Sequence, residues 1–137
     1  MTSPTPPTSY PDVEALVVDI LKADSALSTA TVAVSPPSGF DGTTATVLVN
    51  RRGGAWVGQL HVDQPLIELE VYGPSKHDAL VLANSARRAL LASTGNTYGT
   101  NQITEVDEED GPRWLPDYLY SGANRYVGVY KVSMTVV

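Results

Sequence analysis

The chain has 137 residues, 42% hydrophobic and 18% charged, a balance that fits a folded domain and excludes a disordered tail or a coiled coil. Nine Lys and Arg against fifteen Asp and Glu give a net charge of -6, which excludes holding nucleic acid or an anionic membrane by bulk charge. With no cysteine, disulfide scaffolds, thiolate metal sites and cysteine catalysis all drop out.

A chain of this length buries roughly two-thirds of its surface, enough for one core without staples. No apolar run approaches the ~20 residues of a membrane span, and the polar, proline-rich start does not read as a signal peptide. The expectation is a soluble acidic protein with an arm over residues 1–11 and a single domain over 12–137. Pro4, Pro6 and Pro7 bar helix and central strand from that arm, leaving it mobile or laid on the surface.

The first regular element starts at Pro11 or Asp12, since proline suits a first helical turn and Ser9 with Asp12 has capping-box spacing. Val13, Leu16, Val17, Ile20 and Leu21 form one apolar helical face, so the spacing predicts a helix over 12–23. Short β-rich runs follow at 31–34, 44–50 and 66–72. In the last, Ile67, Leu69 and Val71 alternate with Glu68 and Glu70, the mark of a sheet with one buried and one wet face. Arg51-Arg52-Gly53-Gly54-Ala55-Trp56-Val57-Gly58 reads as a flexible connection at a hairpin tip. Ser75 and Asp78 again have capping-box spacing, and Ala79, Leu82, Ala83, Ala86 and Leu90 make an alanine-rich stripe ending near Gly95. Further on, a strand over 102–106, an irregular acidic and aromatic loop to Asn124 and a closing strand over 125–137 complete the chain. The order α-β-β-β-α-β-β implies an α+β fold, a mixed but mainly antiparallel sheet of about four or five strands covered by two helices.

Catalytic motifs are missing: the sequence holds no G-x-S-x-G, no P-loop and no G-x-G-x-x-G between strand and helix. Gly53, Gly54 and Gly58 run toward a strand, whereas a phosphate cradle runs into a helix N-terminus. His61, Asp63, His77 and Asp78 are acceptable metal-ligand types but lack the i, i+4 spacing of a helical zinc pair, so no metal or cofactor is expected. Glu68 and Glu70 share a strand face, as an acid–base pair would, yet alternating glutamates are also what a solvent-facing strand shows. That face equally suits basic residues of a neighbouring subunit. The run Glu105-Val106-Asp107-Glu108-Glu109-Asp110 lacks the glycine and spacing of a calcium loop and reads as a solvated acidic edge or loop. Next comes Gly111-Pro112-Arg113-Trp114-Leu115-Pro116-Asp117-Tyr118-Leu119-Tyr120, rich in the residue types that dominate protein interfaces. Trp114 docks on a partner, plugs the end of the core, or does both.

Three stretches give the sequence a family likeness. They are Pro11–Val17; the run Val47-Leu48-Val49-Asn50-Arg51-Arg52-Gly53-Gly54 leading to Pro65–Gly73 and the helix Ala79–Leu91; and Gly111-Pro112-Arg113-Trp114-Leu115-Pro116-Asp117 followed by Arg125-Tyr126. In this order they resemble the tail terminator proteins of long-tailed bacteriophages (siphoviruses), especially those infecting actinobacteria. One departure is Tyr72, where the family's strand typically ends in tryptophan.

The resemblance implies a virion structural protein with no catalytic reaction. It implies a homo-hexameric ring, assembled in the bacterial host cytoplasm, that caps the head-proximal end of the tail tube and stops its polymerisation. Its partners would be the tail tube protein and a neck or head-completion protein. DNA would pass through an acid-lined lumen without specific binding, and no membrane is involved. Arg51, Arg52 and Trp56 are candidates for one docking loop, Arg113, Trp114, Asp117 and Tyr118 for another, and Glu68 and Glu70 for a subunit contact. Rival readings are another neck or head–tail connector component, a small-ligand or metal-binding domain using His61, Asp63 and His77, and a carboxylate hydrolase built on Glu68 and Glu70.

Overall fold

Asp12 ends the proline-rich arm by capping a helix, its carboxylate accepting the N–H of Ala15 at 3.1 Å. It is thus itself the N-cap, where the sequence pointed to a Ser9–Asp12 box. The computed structural model describes residues 5–117, 119–120 and 122–136. In chain order these form α1 (Val13–Lys22), β1 (Thr31–Ala33), β2 (Thr46–Val57), β3 (Val62–Gly73), α2 (Lys76–Leu91), β4 (Thr97–Tyr98), β5 (Asn101–Trp114) and β6 (Asn124–Thr135). Single 3-10 turns occupy Ser25–Leu27 and Gly58–Leu60. Among the described residues, no helix is long and apolar enough to cross a membrane.

The strands make one sheet in the order β1-β2-β3-β6-β5-β4. β1 runs parallel to β2, and the other neighbours are antiparallel. The α+β architecture is as expected, with six strands where four or five were read. Both helices pack on one face, through Val13, Val17 and Leu21 of α1 and Ala79, Ala83, Ala86 and Leu90 of α2. Opposite them lie Val47, Val49, Ile67, Leu69, Val71, Tyr130, Val132 and Met134, the period-2 apolar set of the inner strands. The alanines bring α2 close. A Cβ on Gly73 would lie 2.7 Å from the N of Ala79, so only glycine lets β3 run into the helix here.

Two segments read as loops are strand. β2 continues through Arg51-Arg52-Gly53-Gly54 to Val57, its register against β3 shifting between Arg51 and Gly54. The glycines supply a β-bulge within the strand rather than a hairpin tip, with φ +86° at Gly53 and +113° at Gly54. The turn falls later, at residues 58–61, and closes on His61 at φ +50°. Likewise β5 runs through the acids to Trp114, leaving only 115–123 as connection to β6. Three register shifts interrupt its pairing with β6, and Pro112 sits within the last of them. Proline cannot donate to a ladder, so a bulged outer strand is where it is tolerated.

Gly54 generates the first prediction. An added Cβ would collide with the carbonyl oxygen of Gln64 and lie 2.6 Å from the Cα of Pro65, at a φ that L residues avoid. Gly54→Ala is expected to cost about 3 kcal/mol, read as a lowered urea midpoint with an unchanged slope.

Candidate assembly surfaces

The face of the sheet turned away from the helices is laced with charge. Glu68, Glu70 and Tyr72 project from β3 on this side, opposite the helix-facing Ile67, Leu69 and Val71. At one end, Phe40, Tyr120 and Ala123 fold over it. There Leu48, Tyr72 and Ala123 form a second small core with Phe40 and Tyr120. Phe40 meets Tyr72 and Tyr120 edge-on, with centroids 4.9 and 5.0 Å apart.

A polar knot fastens this cover. The Tyr72 hydroxyl donates to Asp117 Oδ2 at 2.7 Å, and the Leu119 N–H donates to Oδ1 at 2.9 Å. Arg125 Nη1 lies 3.7 Å from Asp117 and 3.6 Å from Glu70, and Arg125 Nε donates to the Leu115 carbonyl at 2.8 Å. Burial works to raise the Asp117 carboxyl, but the Tyr72 hydroxyl, the Leu119 N–H and Arg125 together hold it below its ordinary value. Glu70 goes the other way, raised by burial and the neighbouring Glu68 charge against the opposing pull of Arg125 and Tyr72. Burial and the bond to Asp117 keep the Tyr72 phenol protonated. Beside the knot is a cleft of about 280 Å³, lined by Val34, Glu70, Leu119, Tyr120 and Arg125 among others.

At the β2–β3 hairpin the two adjacent arginines have different partners. Arg51 points to the helix side, with Nη1 3.4 Å from Asp63, a carboxylate only 2% exposed. Its backbone N–H donates to Glu14 Oε2 of α1 at 2.8 Å, so Arg51 joins helix, strand and bulge. Arg52, 57% exposed, lies on the charged face 3.5 Å from Glu68. Trp56 is held edge-on by Tyr10 of the arm and by His61, at 5.4 and 5.6 Å. Leu60, the last residue of the 3-10 turn, is exposed.

Beyond the knot, Trp114 packs edge-on against Tyr126 with Lys76 Nζ 4.6 Å above its ring, which places it at the end of the core. Arg113 is exposed, 3.6 Å from Asp110. Along β5, Glu108 turns to the helices and takes a two-pronged bond from Arg87, with Nη2 to Oε1 at 2.8 Å. Asp107 and Glu109 share Lys131 at 3.9 and 3.8 Å. These acids lie in an outer strand: β4 covers only Asn101 and Gln102, and Asn96 reaches Ile103.

Of the residues singled out in the sequence, the structure brings Glu70 and Asp117 together through Arg125, and Arg52 and Glu68 into a pair. Trp56 and Trp114 lie apart, and Tyr118 lies outside the described residues. His61 and His77 fall at opposite ends of the 12-residue β3, and the described residues hold no group of three His, Asp or Glu suited to a metal. Sequence reasoning missed Tyr72 and Arg125 as the centre of the knot, and Glu14 as the cap on β2. The one available signal was Tyr72 itself, a large residue breaking the Glu-x-Glu alternation on the wet face.

Two measurements probe these contacts. Arg51→Ala strands the buried Asp63 and is expected to cost about 1–3 kcal/mol, the exposed flank of the arginine moderating the loss. Arg52→Ala is expected to cost less than about 1 kcal/mol; paired denaturation curves distinguish the two. The knot sets an opposite pair of pH effects. Asp117, lowered in the fold, contributes stability above its unfolded pKa that is lost as pH falls through the folded value. Glu70, raised in the fold, opposes folding when ionised, so Glu70→Gln is expected to raise the melting temperature at pH 7. That gain vanishes below about pH 4, where Glu70 is protonated in both states, whereas Asp117→Asn lowers the melting temperature at pH 7.

Comparison with known proteins follows the same lines. A chain in the virion of the native gene transfer agent particle shares the fold, with TM-score 0.63 over 89% of this chain and 93% of that one, at 14% identity. No curated protein matches. Residues 9–121 match the model of the family described as phage tail termination protein, a stretch running from the end of the arm through β5 and most of the way to β6. The chain belongs to the phage tail termination protein family.

Proposed function

We propose that this protein forms a homo-hexameric ring that caps the head-proximal end of a long phage tail tube. The ring ends tube polymerisation and offers its other side to a neck or head-completion protein. The family match over residues 9–121 carries the reading, because it covers both helices and the sheet through β5. The geometry supports it. The carboxylates Glu68 and Glu70, the pair a carboxylate hydrolase would use, are each held by an arginine, as befits a scaffold. The exposed Arg113 suits docking on a neighbouring ring, whereas Arg51 and Asp117 act within the subunit. An acidic balance lets DNA slide through the bore without specific binding, and the assembled protein resides in the virion.

The test is tube length. Purified tail tube protein polymerised with the wild-type chain is expected to give short tubes with a ring at one end in negative-stain images. Without the chain, tubes grow long and unsealed. Tubes that grow equally long in its presence, with no ring bound, overturn the reading.

A further inference from the structure

Both ends of the sheet order are poorly covered, and this is what gives the molecule an interaction surface. β1 pairs with β2 only over Thr46–Leu48, so among the described residues β2 has no outer strand from Val49 to Val57. β4 and Asn96 reach only to Ile103 of β5, and no partner for the outer backbone from Thr104 to Asp110 is found among the described residues. The two bare stretches lie at the same level. Arg51 is in register with Ile67, Ile67 with Tyr130 and Tyr130 with Glu108, one row crossing the sheet from edge to edge. They also run antiparallel to one another, since three antiparallel pairings separate β2 from β5.

Their charges are opposite. Between Thr104 and Asp110 stand five acids and no cation, and among the described residues Glu105 has no ion-pair partner. Between Val49 and Val57 stand two arginines and no acid; Arg51 is taken by Asp63, which leaves Arg52, 57% exposed beside Glu68, as the cation this edge presents. Acids and bulges on an edge strand prevent indiscriminate pairing, which leaves a basic edge as the fitting neighbour. A single chain carrying both edges, on opposite sides of one sheet, makes a head-to-tail contact that closes into a ring where the rotation permits.

We infer that the subunit seam joins the acidic β5 edge of one copy, at Glu105 and Glu109, to the basic β2 edge of the next, at Arg52. Because Glu14 already takes the Arg51 N–H, side-chain charge rather than a continuous backbone ladder carries the seam. The inference rests on the ring proposed above, and the experiment separates the two.

Arg52→Glu and the double variant Glu105→Lys with Glu109→Lys change side chains paired with Glu68 and Lys131 at most, so a modest fall in melting temperature is expected, and an unchanged circular dichroism spectrum with one cooperative melting transition establishes that they fold. Ring assembly is followed by sedimentation velocity and negative-stain imaging, alone and on purified tail tubes. Each variant by itself presents like charges at every seam. It is expected to need roughly tenfold more protein for half-assembly than wild type. An equimolar mixture of the two restores opposite charges at every contact of an even-membered ring, and is expected to assemble as wild type does. Rings of either variant forming at the wild-type concentration overturn the seam and leave the ring standing. A mixture no better than its components also overturns the seam. A wild-type chain that forms no ring, alone or on tubes, overturns the ring reading and the seam with it.

Discussion

The structure depends on the way β3 is buried on both faces by different chemistry. One face carries Ile67, Leu69 and Val71 into the helices. The other carries Glu68 and Glu70 into the middle of a six-stranded sheet, where neighbouring strands strip away much of their water. A half-buried carboxylate needs a counter-charge or a proton. Arg52 comes from β2 and Arg125 from β6, one on each side of β3. Arg125 cannot serve Glu70 alone, because its Nη1 is shared with Asp117 and its Nε holds the Leu115 carbonyl. The charge requirement of a central strand thereby ties Leu115 and Asp117 to Arg125 and helps close the second small core over Tyr72.

The same sheet is uneven in coverage. Its inner strands β2, β3 and β6 are 12 residues long, and β5 is 14, while the flanking β1 and β4 are three and two residues. Long strands beside very short ones leave backbone bare, a hazard that proteins manage with charge, proline and bulges. All three devices occur on β5: the five acids, Pro112 and the register shifts. β2 uses its glycine bulge and the Glu14 carboxylate. The edges are therefore guarded rather than sealed, which is compatible with a subunit that must stay apart from most proteins and meet a few.

Legibility in the sequence follows from how local the determining physics is. Both helices were readable because the 3.6-residue apolar period, and for α2 capping by Ser75, are encoded within a few residues. The core of β3 was readable because alternation is local too. The strand character of residues 51–57 and 107–114 was hidden, since glycines, arginines and a run of acids have low β-propensity and satisfy no period-2 pattern. Pairing with β3 and β6 overrides that preference. The knot was hidden for another reason: Tyr72, Asp117 and Arg125 are separated by 45 residues in one pair and lie on different elements. Only the completed sheet brings them together.

Arg51 and Arg52 show the difference most sharply. Adjacent in sequence, they look interchangeable as docking cations. The pleat sends one to each face. Arg51 meets the buried Asp63, and its removal would leave a carboxylate without compensation, so its role lies inside the subunit. Arg52 meets the partly exposed Glu68 and keeps most of its guanidinium in water, at the edge of the sheet and on its charged face. One residue of register separates a fold determinant from a surface free to recognise a neighbour, and the bulge at Gly53-Gly54 directly after them accommodates both within one strand.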